Sequence, residues 1–266
     1  MRIIFIGDVI AKAGRQALQQ VAPRWRTDYA PDLVLANGEN AAGGSGITQA
    51  TAAELFAAGV DLLTLGNHAF GQREAITFLP TTDRVLRPLN YPPGTPGRGA
   101  AVMTVGPRRV PVMVANALGR QFMAPLDCPF RALDAALESA GGLEERPRVI
   151  VVDFHAEATS EKRAMGFFLD GRVSLVVGTH THVPTADAQV LPGGTAYVTD
   201  LGMAGPLHSV IGMEPGPVIA RFTTGLHHRF TTSAQPPLVV NAILAEIDEQ
   251  TGRALSIQRL DTVVGG

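Results

Sequence analysis

Five short apolar runs in this chain each end in polar side chains, and that pattern restricts the fold more than any other feature. Ile3–Ile6 leads into Gly7-Asp8, Leu33–Ala36 into Asn37-Gly38-Glu39-Asn40, and Leu62–Leu65 into Gly66-Asn67-His68. Val149–Val152 leads into Asp153-Phe154-His155, and Leu175–Val177 into Gly178-Thr179-His180-Thr181-His182. Apolar runs this short, rich in branched residues, read as buried strands rather than helices. Polar groups at the ends of such strands need either hydrogen bonds or a ligand.

Helical patterns separate the runs. Arg15–Arg24 is one, stopped or kinked near Pro23; Gln49–Ala58 is another, ended by Gly59; Phe130–Ser139 is a third, before Gly141-Gly142. Strand-helix alternation predicts an α/β architecture with covered sheets. Tyr91 to Gly99 reads as a rigid surface connection, followed by strands VMTV and VPVMVAN around a turn at Pro107-Arg108. After residue 190 the pattern predicts a smaller strand-rich half, with Val239–Ile247 as a final amphipathic helix and Leu255–Leu260 as a strand. Neither an internal repeat nor a dividing linker occurs, so residues 1–266 read as one domain.

Composition narrows the partners. Lys and Arg total 22 against 24 Asp and Glu, a formal charge of -2, which gives no support for a broad nucleic-acid surface but leaves room for a local site for one phosphate. MRIIFIGD lacks the basic flank and cleavage pattern of a secretory signal, and no apolar stretch reaches the ~18 residues of a membrane span. Cys128 is the only cysteine and cannot form an intrachain disulfide; it reads as a packed thiol, and the expected setting is the reducing cytoplasm.

The strand-end groups are Asp8, Glu39, Asn40, Asn67, His68, His155, His180 and His182. Each alone has an ordinary explanation. Asp8 could cap a helix or organise a turn, and Glu39-Asn40 could be a solvated turn. Asn67 and His68 could satisfy backbone groups, His155 could be a satisfied core histidine, and His180 and His182 could serve internal hydrogen bonds. On a strand, His180 and His182 would share a face; a loop could also bring them together. Taken jointly, carboxylate, carboxamide and imidazole at converging strand ends suit a hard or borderline metal centre.

The spaced blocks FIGDV (5–9), LANGENAAGG (35–44), TLGNHAF (64–70), DFHAEATSEK (153–162) and VVGTHTHVPTAD (176–187), with YVTDLGMAGPLHSVIGM (197–213), carry a resemblance. The chain resembles the calcineurin-like metallophosphoesterase superfamily, and within it the YmdB-like bacterial phosphodiesterase family. The resemblance implies a metallophosphoesterase-like four-layer α/β sandwich, two central mixed sheets flanked by helices. It implies two metal ions, divalent or mixed-valence, iron first and manganese second. Asp8, Glu39, Asn40 and His182 would hold one ion; Glu39 would bridge to the other, held by Asn67, His155 and His180. A metal-bound water or hydroxide would attack phosphorus, and His68 would donate a proton to the leaving oxygen or position the phosphate. Two departures from the wider superfamily stand out. Ile10 occupies the position where many members carry a histidine, and Glu39 replaces the usual bridging aspartate; both agree with the YmdB-like group. Ile10 then reads as core.

Other polar features carry less. Gly43-Gly44-Ser45-Gly46 reads as a structural turn lacking a complete P-loop pattern. Glu157, Thr159, Ser160 and Lys162 could line the site, or Glu157 and Lys162 could pair with each other. His208 reads as a wall or structural residue, and His227-His228 as solvated or packed histidines.

The function expected from the resemblance is hydrolysis of 2′,3′- or 3′,5′-cyclic nucleotides, or of another phosphodiester such as an RNA end. The alternatives are a phosphomonoesterase and a regulatory metal- or nucleotide-binding protein with weak turnover. An RNA-related regulatory partner and a homo-oligomer fit the resemblance, with no membrane partner.

Overall fold

In the computed structural model, which describes residues 1–265, the first apolar run becomes strand β1 (Arg2–Val9), buried at every position after Arg2. The further strands are β2 (Leu33–Asn37), β3 (Leu62–Thr64), β4 (Val85–Leu86), β5 (Ala100–Val105), β6 (Val110–Leu118), β7 (Val149–His155) and β8 (Leu175–Thr179). Then come β9 (Gln189–Val190), β10 (Ala196–Val198), β11 (Met203–Pro206), β12 (Leu238–Val240), β13 (Ala242–Ile247), β14 (Ala254–Arg259) and β15 (Thr262–Val264). The helices are α1 (Ala11–Tyr29), α2 (Gln49–Ala57), α3 (Ala75–Phe78), α4 (Pro129–Gly141), α5 (Thr159–Leu169) and α6 (Pro215–Thr224).

Two mixed sheets result. The first runs β15-β12-β11-β1-β2-β3-β4, with β13 against β1 and β14 against β13; the second runs β5-β6-β7-β8-β10-β9. β1, β2, β3 and β4 pair in parallel, as do β6, β7, β8 and β10, while the hairpin β5-β6 and the pairs of β13 are antiparallel.

Alternation along the strands builds the layers. Ile3, Phe5 and Leu35 of the first sheet share a buried cluster with Val114, Val151 and Val177 of the second. On the other face of the first sheet, Ile4, Ile6 and Val34 pack with Leu18, Val21 and Trp25 of α1 and Leu55 of α2. On the outer face of the second, Val152, Phe154 and Val176 pack with Leu133 of α4 and Met165 and Leu169 of α5. The order is helix, sheet, sheet, helix, the four-layer sandwich expected. Each fully buried aliphatic or aromatic side chain contributes roughly 1.5–3 kcal/mol relative to exposure.

Several local expectations are corrected. Val239–Ile247 is not a helix but the end of β12 followed by β13, which lies antiparallel along β1 from Arg2↔Glu246 to Ile6↔Ala242. The run VVNAILAEI suits either state on apolar content, and pairing on both sides, with β1 and β14, decides for strand. Asn241 marks the switch between β12 and β13: its N–H donates to the Met203 carbonyl, and its Oδ1 accepts from the Met203 N–H. Helix α1 begins at Ala11 rather than Arg15 and continues through Pro23 to Tyr29, because Val21, Ala22 and Trp25 keep its apolar stripe on the sheet across the proline. Its N-cap is Ile10, with no side-chain cap, so Asp8 does not cap it. The region after 190 contains α6, and its strands complete both sheets rather than forming a separate smaller half. Ile10 is 1% exposed, in a cluster with Ala11, Met203 and Val239, as expected of core. No helix among the described residues is long and apolar enough to cross a membrane.

Candidate metal centre

β1, β2 and β3 of the first sheet and β7 and β8 of the second present their C-terminal ends to one region, each by a local device. In β1 simple alternation would turn Asp8 with Ile4 and Ile6 toward the helices. The register with β2 instead jumps from Ile6↔Ala36 to Asp8↔Asn37, a bulge at Gly7 that re-aims the next side chain. In β7 the alternation continues to its last residue, so Asp153 and His155 follow Val149 and Val151 between the sheets while Phe154 faces the helices. Beyond β2, the Asn37 side-chain oxygen accepts the Glu39 N–H at 3.0 Å and closes the turn that presents Glu39 and Asn40. Beyond β8, His180 and His182 take φ of 103° and 62°, so a strained loop rather than strand alternation brings their rings together.

Hydrogen bonds behind the His155 and His182 rings, and a contact with a carboxylate behind His180, set where each ring carries its proton. His155 Nδ1 donates to Thr179 Oγ1 at 2.9 Å, which donates to Asp153 Oδ1 at 2.7 Å. His180 Nε2 lies 3.1 Å from Glu157 Oε2, and His182 Nδ1 donates to the Ile211 carbonyl at 2.9 Å. In each neutral ring the other nitrogen is therefore a lone pair aimed at the centre, the arrangement that outer partners impose on metal-binding histidines. Around His155 Nε2 stand Asn67 Oδ1 at 3.0 Å, His180 Nδ1 at 3.0 Å and Glu39 Oε1 at 3.2 Å. These are acceptors facing acceptors, which only a proton or a cation can reconcile. Glu39, His155 and His180 each offer a ligand atom within 4.8 Å of the others.

A second set adjoins the first. Asp8 Oδ1 is buried with no hydrogen-bond partner, 3.7 Å from His182 Nε2, while Asp8 Oδ2 accepts the His180 N–H at 3.1 Å. The Asn40 amide lies 3.1 Å from His182 Nε2 and 3.3 Å from Glu39 Oε1. The orphaned carboxylate oxygen and the converging lone pairs fit cations of the hard or borderline kind. Glu39, 1% exposed, touches both sets.

The charges report the same demand. Burial pushes Asp8 up to about 6 despite His182 and His155. Burial opposes the His155 imidazolium, but Glu39, Asp8 and Asp153 outweigh it and raise it to about 9. Burial, reinforced by His155, takes His180 down to about 3. Glu39 is held well below the usual carboxylate range: burial raises it, and His155 and His68 more than offset that. A cation in the centre would take over the role that the His155 proton plays here.

All eight strand-end residues expected from sequence converge on this site. His68 stands at its edge, 43% exposed, with Nδ1 3.0 Å from Asn40 Oδ1 and its N–H donating to Glu39 Oε2 at 3.0 Å. The contact of its Nδ1 with Glu39 Oε1, 3.4 Å away, raises its pKa above the ordinary value, against burial. A cavity of about 300 Å³ opens here, lined by His68, Glu157, His182 and Gly44 among others. Glu157 and Lys162 do not pair: Glu157 meets His180, and Lys162 pairs with Asp200 in the interior. His208 and His227 are exposed and His228 is partly buried; none of them lines this cavity.

Sequence reading missed the supporting residues. Asp153, Asn37, Thr64 and Thr179 form a buried polar network between the sheets behind His155. Asp153 and Thr179 sit inside the quoted motifs, but only the sheet pairing shows where they point. Gly66 was visible as a glycine before Asn67; a Cβ there would lie 2.3 Å from Glu39 Oε2 and from His155 Nε2.

The family model described as YmdB-like protein matches residues 4–260. The 2′,3′-cyclic-nucleotide 2′-phosphodiesterase of Bacillus subtilis (strain 168) is 43% identical over 260 residues, 98% of this chain and 96% of that one. The crystal structure of a hypothetical protein from Thermus thermophilus superposes with a TM-score of 0.90 at 46% identity, covering 99% of both chains. That of a novel phosphatase from Mycoplasma pneumoniae superposes with a TM-score of 0.92 at 33% identity, covering 99% of this chain and 93% of that one.

Proposed function

The chain belongs to the YmdB-like family of calcineurin-like metallophosphoesterases, and on that premise we propose that it is a dinuclear metal-dependent phosphodiesterase that opens cyclic nucleotides. The observation that carries the reading is the meeting of lone pairs at His155 Nε2 beside the unpartnered Asp8 oxygen. Asp8, Glu39, Asn40 and His182 would hold one ion and Asn67, His155 and His180 the other, with Glu39 between them. When bound, the pair, iron or manganese, supplies charge neutralisation at phosphorus and activation of the attacking water.

The chain's own residues do the rest. Thr179, Glu157 and the Ile211 carbonyl keep the three imidazoles in the tautomers that offer nitrogen to the centre. His68, half-exposed at the cavity, has Nδ1 engaged by Asn40 and Glu39, which favours the imidazolium, and the imidazolium's Nε2 proton would go to the leaving oxygen. Glu157, 50% exposed at the same cavity, adds negative charge. A dianionic monoester meets more repulsion there than a monoanionic diester, which favours diesterase over phosphomonoesterase chemistry.

The 2′,3′-cyclic class has the support of the Bacillus subtilis relative's own activity; the 3′,5′ class and RNA ends are the neighbouring substrates to compare. A cytoplasmic setting accords with a lone cysteine and with substrates derived from RNA. The test is turnover of matched 2′,3′- and 3′,5′-cyclic nucleotides by protein stripped of metal and reloaded with iron or manganese separately. A linear nucleotide formed only by reloaded protein supports the reading. Release of inorganic phosphate from monoesters alone favours the phosphomonoesterase, and folded, metal-loaded protein that binds nucleotide without turnover favours a regulatory binding role.

A further inference from the structure

Ile211 is held where a β-branched residue does not belong. Val210 and Met213 exchange both backbone hydrogen bonds at 2.9 Å, so Ile211-Gly212 forms the two-residue loop of a tight hairpin, with φ of 49° and 96°. Two positive φ values in succession define the turn that favours Asn-Gly or Gly-Gly, and a branched Cβ at its first position is strained.

The backbone task of this residue does not explain the side chain. The Ile211 carbonyl accepts from His182 Nδ1, and an asparagine or glycine would deliver the same carbonyl with less strain. Packing does not explain it either. The side chain is 46% exposed and belongs to none of the buried clusters; the turn rests on Ile10 through Gly212, whose Cβ would lie 2.7 Å from Ile10 Cγ2. What Ile211 does line, with Met213, is the cavity over His182 and Asn40. A strained residue with exposed apolar surface, lining the cavity beside the donor side chains, is placed for a ligand.

We propose that Ile211 determines specificity for the nucleobase, its side chain giving the base an apolar wall to pack against while its carbonyl keeps His182 in place. This rests on the cyclic-nucleotide reading above and names the part of the substrate that reading leaves open. One residue then links recognition of the base to orientation of a ligand imidazole.

The test compares adenosine 2′,3′-cyclic monophosphate with the base-free methyl riboside 2′,3′-cyclic phosphate, for the wild type and for Ile211→Gly, which keeps the carbonyl. For the variant the KM of the nucleotide rises on the order of tenfold. The KM of the base-free substrate shifts far less, so the ratio of the two KM values carries the result; metal is retained because the carbonyl that meets His182 is kept, and Tm is equal or higher because the strain is relieved. Ile211→Leu, which retains apolar surface, restores most of the nucleotide KM. Equal shifts for the two substrates, an unchanged KM ratio, or a fall in kcat with loss of metal would each overturn the inference and leave the turn a support for His182. Turnover of neither substrate by metal-loaded wild type overturns the functional reading and this inference with it.

Discussion

Lys162 Nζ and Asp200 Oδ2 form an ion pair of 2.6 Å in which each side chain is 1% exposed. The same Asp200 oxygen accepts the Thr181 N–H at 3.1 Å, and its other oxygen accepts the Gly202 N–H at 2.8 Å. Thr181 lies between His180 and His182, so the pair anchors the strained loop that sets both rings. Lys162→Met should cost roughly 3–5 kcal/mol by stranding a buried carboxylate. It should also lower metal affinity on the order of 10–100-fold, the usual effect of losing an outer support. Denaturant titration and metal analysis check both; normal affinity in the folded variant would show that the loop holds without the pair.

Glu39 touches both halves of the donor set, so Glu39→Gln should remove more than either terminal ligand would. Expected is metal content below two ions per chain and a loss of kcat of at least about a hundredfold. Full occupancy with undiminished turnover would dismiss Glu39 as the bridge.

His68 stands at the rim and supplies no nitrogen to the convergent set. His68→Ala should keep its metal while kcat falls about 10²–10⁴-fold, and the limb of the pH profile at which an acid is lost should flatten. The rate with a substrate carrying a good leaving group, such as bis(p-nitrophenyl) phosphate, should fall much less. An equal loss with both leaving groups would assign His68 to phosphate positioning.

A methyl group at Gly66 would lie 2.3 Å from both Glu39 Oε2 and the His155 ring. Gly66→Ala should therefore displace those side chains and weaken metal binding at least about a hundredfold, with the circular dichroism of the fold retained. Unimpaired metal binding would mean that the centre is less crowded than these contacts require.

For metal-free protein the pH dependence has a definite sign. The pKa of His155 is raised from its ordinary value to about 9, so its contribution to stability is fully present below about 6.5 and is lost as pH rises through about 9. Asp8, raised to about 6, likewise binds its proton more tightly in the folded chain, so stability falls as pH rises from about 4 to 6. Calorimetry of chelator-treated protein should give a lower Tm at pH 9.5 than at pH 6.5. A metal held by His155 would displace its proton, so loading should release protons near neutral pH and remove that decline; a Tm that rises with pH in the metal-free protein would contradict the sign.

Much of this was already determined along the chain. Short branched runs ending in Asp8, Glu39-Asn40, Asn67-His68, His155 and His180-Thr181-His182 specify strands whose ends carry donors, because apolar period and polar punctuation are local properties. The alternation that puts Asp153 and His155 on one face of β7 is equally local, whereas the packing of the sheets decides that this face lies between them. Tertiary structure alone decided the rest. VVNAILAEI became strand because β1 left an edge to be paired, and Asp8 reached the site because a bulge at Gly7 shifted its register against β2. Lys162 found Asp200, 38 residues away, through the packing of α5 on the second sheet, and Asp153 found Thr64 and Asn37 through the packing of one sheet on the other. Burial makes an unpaired charge costly, so these partners had to meet, but which ones meet depends on distances that exist only once the sheets have formed.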